Sequence, residues 1–106
     1  MRHRLKICCI QSLHEATLAI RHGATHLGLV SAMPSGPGPI PEEEIARIAA
    51  AVPPEIETVL LTAETRPEAI VAQHRRCATR AIQLVDALGE GALQALREAL
   101  PGVTLI

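Results

Sequence analysis

Five short apolar runs alternate with four amphipathic segments along the chain, and this alternation limits the possible folds more than any other feature. The apolar runs, at 5–10, 26–31, 56–62, 80–85 and 103–106, have the length and composition of β-strands. The segments between them carry apolar residues at helical spacing. Strands that alternate with helices pair in parallel through right-handed crossovers. The sequence therefore predicts an α/β fold with the order βαβαβαβαβ.

Local signals mark the ends of the predicted helices. Ser12 and Glu15 have the spacing of a capping box, and Gly23 is a typical left-handed helix stop. Pro41 suits the first position of the second helix, which Pro53 and Pro54 end. The third helix is predicted to begin near Pro67, and the fourth to span 90–100.

The two faces of the predicted strands differ in polarity, which favours a barrel-type sheet over a doubly wound one. A doubly wound sheet is buried on both faces, so its strands are apolar throughout. One predicted face is uniformly apolar: Leu5/Ile7/Cys9, Leu27/Leu29, Val59/Leu61 and Ile82/Leu84. The other is mixed: Lys6/Cys8/Ile10, Gly28/Val30, Thr58/Leu60/Thr62 and Ala81/Gln83/Val85. Helices on one face and a mixed lining on the other are typical of a (β/α) barrel of the TIM type.

Five strands cannot close an eight-stranded barrel. The chain is therefore predicted to be one partial barrel domain, 1–106, equivalent to about the first half of an eight-stranded (β/α) barrel. The alternative is a half-barrel that closes with a second copy through its open sheet edges. We prefer the first interpretation.

Composition excludes several classes of partner. The formal net charge is −1, and Phe, Trp and Tyr are absent, so neither a basic field nor a stacking platform for nucleic acid is expected. No apolar run approaches the roughly 20 residues of a membrane span, and no secretory leader is predicted. Three cysteines without paired spacing indicate thiols in a reducing compartment. We expect a cytoplasmic protein that binds neither nucleic acid nor membrane.

Cys8 is the first candidate for a functional residue. It lies near the carboxyl end of the first strand, where parallel α/β folds place their sites. Lys6 is predicted to lie about 6–7 Å away on the same strand face, where its charge could favour a thiolate. Gln83, in the fourth strand, belongs to the same lining.

The loop after the second strand is the longest connection and contains Ser35, Gly36 and Gly38. Backbone amides in such a glycine-rich loop can form an anion-binding nest, although most such loops are turns. His22 and His26 are four residues apart, but Gly23 separates them, so no metal site is predicted.

Several of these residues occur together in one known family. The chain resembles phosphoribosylanthranilate isomerase, a single-domain (β/α)8 barrel of tryptophan biosynthesis. The resemblance extends over essentially all of this chain, which would correspond to about the first half of that barrel. The matching residues, in order, are Lys6-Ile7-Cys8-Cys9-Ile10, Glu15-Ala16, Gly23-Ala24, Leu27-Gly28-Leu29-Val30 and Ile82-Gln83-Leu84.

The resemblance implies an isomerase that performs the Amadori rearrangement of N-(5-phosphoribosyl)anthranilate, a small phosphosugar substrate. It assigns Cys8 as the general base on the sugar C2 proton, and it implies neither a cofactor nor a metal. Lys6, Ser35, Gly36, Gly38 and Gln83 are the expected substrate-binding residues. The family's general acid, an aspartate of a later strand, would lie beyond Ile106.

Three positions depart from the family pattern. The usual glycine after the base is Cys9, which we expect to be accepted as a small apolar side chain on the helix face. The arginine of the loop after the second strand is absent, and the histidine after Gln-Leu is Val85. Two alternatives follow: a non-catalytic relative that binds a phosphorylated ligand, or an isomerase of another phosphosugar.

Overall fold

A single sheet of five parallel strands forms the framework of the protein. The structure is a computed structural model, and it describes residues 4–33, 38–86 and 88–106. The elements in chain order are β1 (Lys6–Ile7), α1 (Leu13–Arg21), β2 (His26–Val30), α2 (Glu42–Ala51), β3 (Glu57–Thr62), α3 (Pro67–Cys77), β4 (Ala81–Leu84), α4 (Glu90–Ala99) and β5 (Thr104–Leu105). The strands pair in chain order from β1 to β5, and the sheet is not closed. The predicted half of a (β/α) barrel is confirmed.

The helix ends follow from the local sequence, with two differences of detail. Ser12 Oγ accepts a hydrogen bond of 3.1 Å from the Glu15 amide, as a capping box requires. The Glu15 carboxylate reaches back to the amide of Gln11 (2.9 Å), one residue before the predicted cap. Gly23 adopts a φ of 97° and ends α1. Pro41 is the residue that precedes α2, not its first helical residue.

Two apolar clusters lie between the helices and the sheet. The first joins β2 and β3 to α1 and α2, and its fully buried members include Leu27, Leu29, Ile45, Ile48 and Leu60. The second joins β4 to α3 and α4 through Ile70, Ile82 and Leu96. We call the sheet face that contacts these clusters the helix face, and the opposite face the concave face.

The faces of β3 are the reverse of those predicted. Leu60 lies in the first core cluster, and the register pairs it with Leu29 and Ile82, so it faces the helices. Val59 and Leu61, which pair with Gly28 and Val30, face the concave side. Both the apolar face and the mixed face of β3 are compatible with burial against the helices. The polarity of the residues alone therefore did not indicate which face would contact them.

Hydrogen bonds allow two threonines to lie on the helix face of β3. Thr62 Oγ1 donates to Gln73 Oε1 of α3 (2.6 Å), and Thr58 Oγ1 accepts from the amide of Arg80 (3.2 Å). Both threonines are buried. Because each hydroxyl has a partner, the threonines flank Leu60 without an unsatisfied polar group.

The polar contacts of Thr62 continue into a network that joins α2 to α3. Gln73 Nε2 donates to Glu42 Oε2 (3.1 Å), and Arg76 donates to both carboxylate oxygens of Glu42, at 2.6 and 3.2 Å. The hydrogen bond from Arg76, followed by that from Gln73, lowers the pKa of the Glu42 carboxyl below its ordinary value, although partial burial opposes this. The network holds the carboxyl end of β3 against the amino end of α2.

Cys77 makes the stability of the fold sensitive to alkaline pH. Its side chain is fully buried, and burial raises the pKa of the thiol from 9.0 to about 11. Between these values the unfolded chain loses a proton that the folded chain keeps, so stability falls as the pH rises above 9. The expected loss is about 2–3 kcal/mol at most, and below pH 9 the contribution is complete.

Urea unfolding between pH 8 and pH 10.5 measures this loss. Other groups titrate in the same range, so the parent is compared with Cys77→Ala, which lacks only this thiol. We expect the free energy of unfolding to fall more steeply for the parent than for the variant. Parallel curves for the two proteins would show that the Cys77 thiol does not contribute.

Candidate functional site

The Cys8 thiol lies on the concave face, just beyond the carboxyl end of β1. A Cβ built on Gly28 of β2 would stand 3.1 Å from Cys8 Sγ and 3.3 Å from Cδ1 of Leu61. The thiol therefore lies over β2, on the same face as Leu61. Cys8 is an exposed residue.

Lys6 and Gln83 are brought together across the same face. The Lys6 ammonium donates a hydrogen bond to Gln83 Oε1. The two residues are 77 positions apart, and β2 and β3 lie between their strands. Only a sheet that curves toward this face allows such a contact. The structure thus places three predicted site residues, Lys6, Cys8 and Gln83, on one concave surface.

The backbone changes direction at Cys9, and this corrects two predictions. Cys9 has a φ of 61°, in the left-handed region that favours glycine. The strand alternation is broken there, so Ile10 enters the first core cluster and its amide donates to the carbonyl of Gly28 (3.2 Å). Ile10 was predicted on the lining and Cys9 on the helix face as a small buried group; Ile10 is buried among the helices, and Cys9 is exposed.

Part of the predicted anion loop can be placed. Gly38 is buried and has a φ of 104°. A Cβ at Gly38 would stand 2.8 Å from Cys9 Sγ, so the loop backbone packs directly on the Cys9 side chain. The Ile40 amide then bonds to the Val30 carbonyl (2.9 Å) and closes the loop onto β2. Ser35 and Gly36 lie outside the described residues.

Glycine at position 9 should stabilise the protein relative to alanine. Cys9→Gly and Cys9→Ala both delete the sulfur next to Gly38, but only glycine adopts a φ of 61° without a Cβ penalty. We expect Cys9→Gly to be the more stable variant by about 1 kcal/mol. Chemical denaturation of the two variants measures this difference. An alanine variant as stable as the glycine variant would exclude backbone strain at Cys9.

The face carries a thiol, an ammonium group and a carboxamide, which together suit proton transfer on an anionic substrate. Among the described residues, no group of three His, Cys, Asp or Glu side chains is arranged to hold a metal ion. No helix in the described part of the chain is long and apolar enough to cross a membrane.

Sequence reasoning missed the part played by Gly28. An isolated glycine within a strand is a known signal of close backbone approach, so the sequence did contain a clue. It also missed the network of Thr62, Gln73 and Glu42, for which no local pattern exists because the three residues lie on different elements.

Curated relatives match most of this chain. The N-(5'-phosphoribosyl)anthranilate isomerase of Geobacter sulfurreducens is 38% identical over 81 residues, which are 76% of this chain and 39% of the relative. The enzyme of the same name from Geobacter metallireducens is 40% identical over 82 residues, 76% of this chain and 40% of the relative. This chain therefore matches about two fifths of the length of these relatives. No family model matches it.

Solved structures show the same similarity in three dimensions. The phosphoribosyl anthranilate isomerase of Thermus thermophilus has a TM-score of 0.80 and 28% identity, over 93% of this chain and 49% of that chain. A phosphoribosyl anthranilate isomerase in complex with reduced 1-(o-carboxyphenylamino)-1-deoxyribulose 5-phosphate has a TM-score of 0.79 and 26% identity, over 92% of this chain and 50% of that chain. The resemblance predicted from the sequence is confirmed.

Proposed function

We propose that this chain is one half of a phosphoribosylanthranilate isomerase of tryptophan biosynthesis, and that it carries the general base, Cys8. The observation that supports this most directly is the position of the Cys8 thiol, exposed on the concave face at the carboxyl end of β1. That end of a (β/α) barrel is where such enzymes place their catalytic groups. The proposed reaction is the rearrangement of N-(5-phosphoribosyl)anthranilate.

Cys8 removes the proton on the sugar C2 in this proposal. Once the sugar ring is open, the carbon–nitrogen double bond at C1 draws electrons from C2. The Cys8 thiolate takes the C2 proton, the C2 electron pair forms a double bond to C1, and the electron pair of the carbon–nitrogen double bond moves to the protonated nitrogen, so that an enolamine results. Addition of a proton to C1 and loss of the proton of the C2 hydroxyl then give the 1-amino-1-deoxyketose product. The acid that protonates the ring oxygen comes, by the family resemblance, from a later strand.

Lys6 and Gln83 orient and attract the substrate in this proposal. Gln83 accepts a hydrogen bond from the Lys6 ammonium, which holds a positive charge on the face that carries Cys8. That charge favours an anionic substrate. The loop containing Ser35, Gly36 and Gly38 is proposed as the phosphate-binding segment through its backbone amides.

The remaining half of the barrel is needed to cover both edges of the sheet. An apolar groove of about 370 Å³ runs beside β1, and its walls include Leu5, Ile7 and Leu18. A second groove of about 290 Å³ lies beside β5 and includes Leu105 and Ile106. Without their complement these edges are expected to promote self-association.

We propose that the complete protein works in the cytoplasm.

Val85 favours an altered substrate as the second candidate function. It follows β4 directly, at the carboxyl end of the strands, and its side chain is 48% exposed. The related family has a polar histidine there, so an apolar group at this rim suits a different substituent on the phosphosugar.

An assay of isomerase activity tests the proposed function. Loss of N-(5-phosphoribosyl)anthranilate is followed with this chain alone and with this chain fused to the carboxy-terminal part of the Geobacter sulfurreducens relative, which supplies the missing strands. We expect turnover by the fused protein only. A folded fused protein that leaves this substrate unchanged, but isomerises another phosphosugar, would favour the second candidate.

A further inference from the structure

Gly28 lies close to both the backbone and the sulfur of Cys8, the residue proposed as the base. A Cβ on Gly28 would stand 3.1 Å from the Cα of Cys8 and 3.1 Å from its Sγ. Both distances are shorter than nearly all contacts that real Cβ atoms make. The absence of a side chain at Gly28 is therefore what allows the end of β1 to lie so close to β2.

The two strands cannot easily separate at this point. The Ile10 amide donates to the Gly28 carbonyl (3.2 Å), and Ile7 is in register with Leu27. Between these two ties, Cys9 adopts its left-handed conformation. The backbone of Cys8 is thus held from both sides, and rotation of its side chain alone cannot make room, because its Cα is also in contact.

We infer that Gly28 is a positioning residue for Cys8: it fixes where the thiol lies on the concave face. The catalytic role of this position rests on the proposed function, whereas the position of the Cys8 thiol can be tested on the chain alone. In Gly28→Ala, the added methyl group would displace Cys8 or obstruct one side of its sulfur. Leu61, whose Cδ1 is the third neighbour at 3.3 Å, can move aside more easily because its end is flexible.

Alkylation of the chain by iodoacetamide tests the position of the thiol. Tandem mass spectrometry, with fragment ions that cut between Cys8 and Cys9, reports the three cysteines separately: Cys8 is the test, the exposed Cys9 is the internal reference, and the buried Cys77 reports unfolding. In Gly28→Ala we expect the alkylation rate of Cys8, relative to that of Cys9, to fall several-fold while Cys77 stays protected. An unchanged relative rate, with Cys77 protected, would overturn the inference, whereas a several-fold rise would also show that the thiol has moved.

Two further variants keep the test decisive. Gly91→Ala is the matched control, since a Cβ at Gly91 meets open space, and it should leave the Cys8 rate unchanged. If Gly28→Ala alone exposes Cys77, the double variant Gly28→Ala/Leu61→Ala removes the third contact and is used instead. The same fall in Cys8 alkylation is expected there, and an unchanged rate counts equally against the inference.

Turnover by the fused protein tests the catalytic consequence. A displacement of about 1 Å at a reacting group can cost about 10²-fold in rate. The contacts at Gly28 require a shift of a few tenths of an ångström, so we expect Gly28→Ala to lower kcat by up to about 10-fold and to change KM little, whereas a merely structural role would lower the amount of active protein and leave kcat per folded molecule unchanged. If the fused parent shows no turnover, the proposed function fails, and the alkylation result still decides the position of the thiol.

Discussion

Replacing Cys8 by serine should lower kcat of the fused isomerase by about 10²–10⁴-fold, the usual contribution of a positioned general base. Serine keeps the size and position of the side chain, but its hydroxyl is a far weaker acid than a thiol and supplies almost no anion near neutral pH. KM should change little, because the phosphate group is proposed to be bound by the loop that contains Ser35, Gly36 and Gly38. Steady-state kinetics of the two proteins measure both parameters.

Cys9→Ser is the matched control for this result. It makes the same chemical change one residue along, at a side chain that is also exposed but is packed on Gly38 instead of Gly28. We expect the activity of Cys9→Ser to stay close to that of the parent. Equal losses in the two variants would contradict the assignment of Cys8 as base, as would a Cys8→Ser enzyme with full activity.

Replacing Leu60 by alanine should destabilise the fold more than the same substitution at Leu61, the next residue of β3. Leu60 is fully buried in the first core cluster, and its truncation leaves a cavity among β2, β3 and the helices. Such truncations cost about 2–5 kcal/mol, a large share of the total stability of a chain of this size. Chemical denaturation measures the loss as a lower midpoint.

Leu61→Ala is the control, because it deletes the same atoms from the next residue of β3. Leu61 faces the concave side and is only half-buried, so the expected loss is clearly smaller. The pair of variants therefore reports which face of β3 contacts the helices. If Leu61→Ala were the more damaging variant, Leu61 and not Leu60 would face the helices, which would contradict this orientation of β3.

The order of elements was predictable because its signals are local. Helical spacing, the Ser12 cap and the Gly23 stop each depend on a few consecutive residues, and all appear in the structure. The parallel order then follows from the alternation of strands and helices. The position of Cys8 at the carboxyl end of β1 follows from the same reasoning.

The strand faces were less predictable, because alternation holds only while the backbone stays extended. At Cys9 the chain turns into the left-handed region, and every later side chain of that run changes sides, so Ile10 is buried among the helices. No local signal in a cysteine predicts this turn. In β3 the Thr62 hydroxyl is buried on the helix face, where it donates a hydrogen bond to Gln73, eleven residues away, and the polarity of the strand does not indicate that partner.

The contact between Lys6 and Gln83 lay beyond sequence reasoning for a different reason. Both residues were predicted on one face, but their distance depends on how strongly two intervening strands curve. Curvature is a property of the whole sheet and its helix packing. The shared face of Lys6 and Gln83 could therefore be predicted from strand alternation, whereas the contact between the two side chains could not.

The central claim is that the surface carrying Cys8 removes the proton at C2 of the sugar. The most direct measurement uses N-(5-phosphoribosyl)anthranilate with deuterium at C2 and follows where the deuterium goes during turnover by the fused protein. We expect the labelled substrate to turn over more slowly than the unlabelled one and to release deuterium to water, and we expect both turnover and deuterium release to be suppressed in Cys8→Ser. Release of deuterium by Cys8→Ser at the parent rate would show that another group removes this proton.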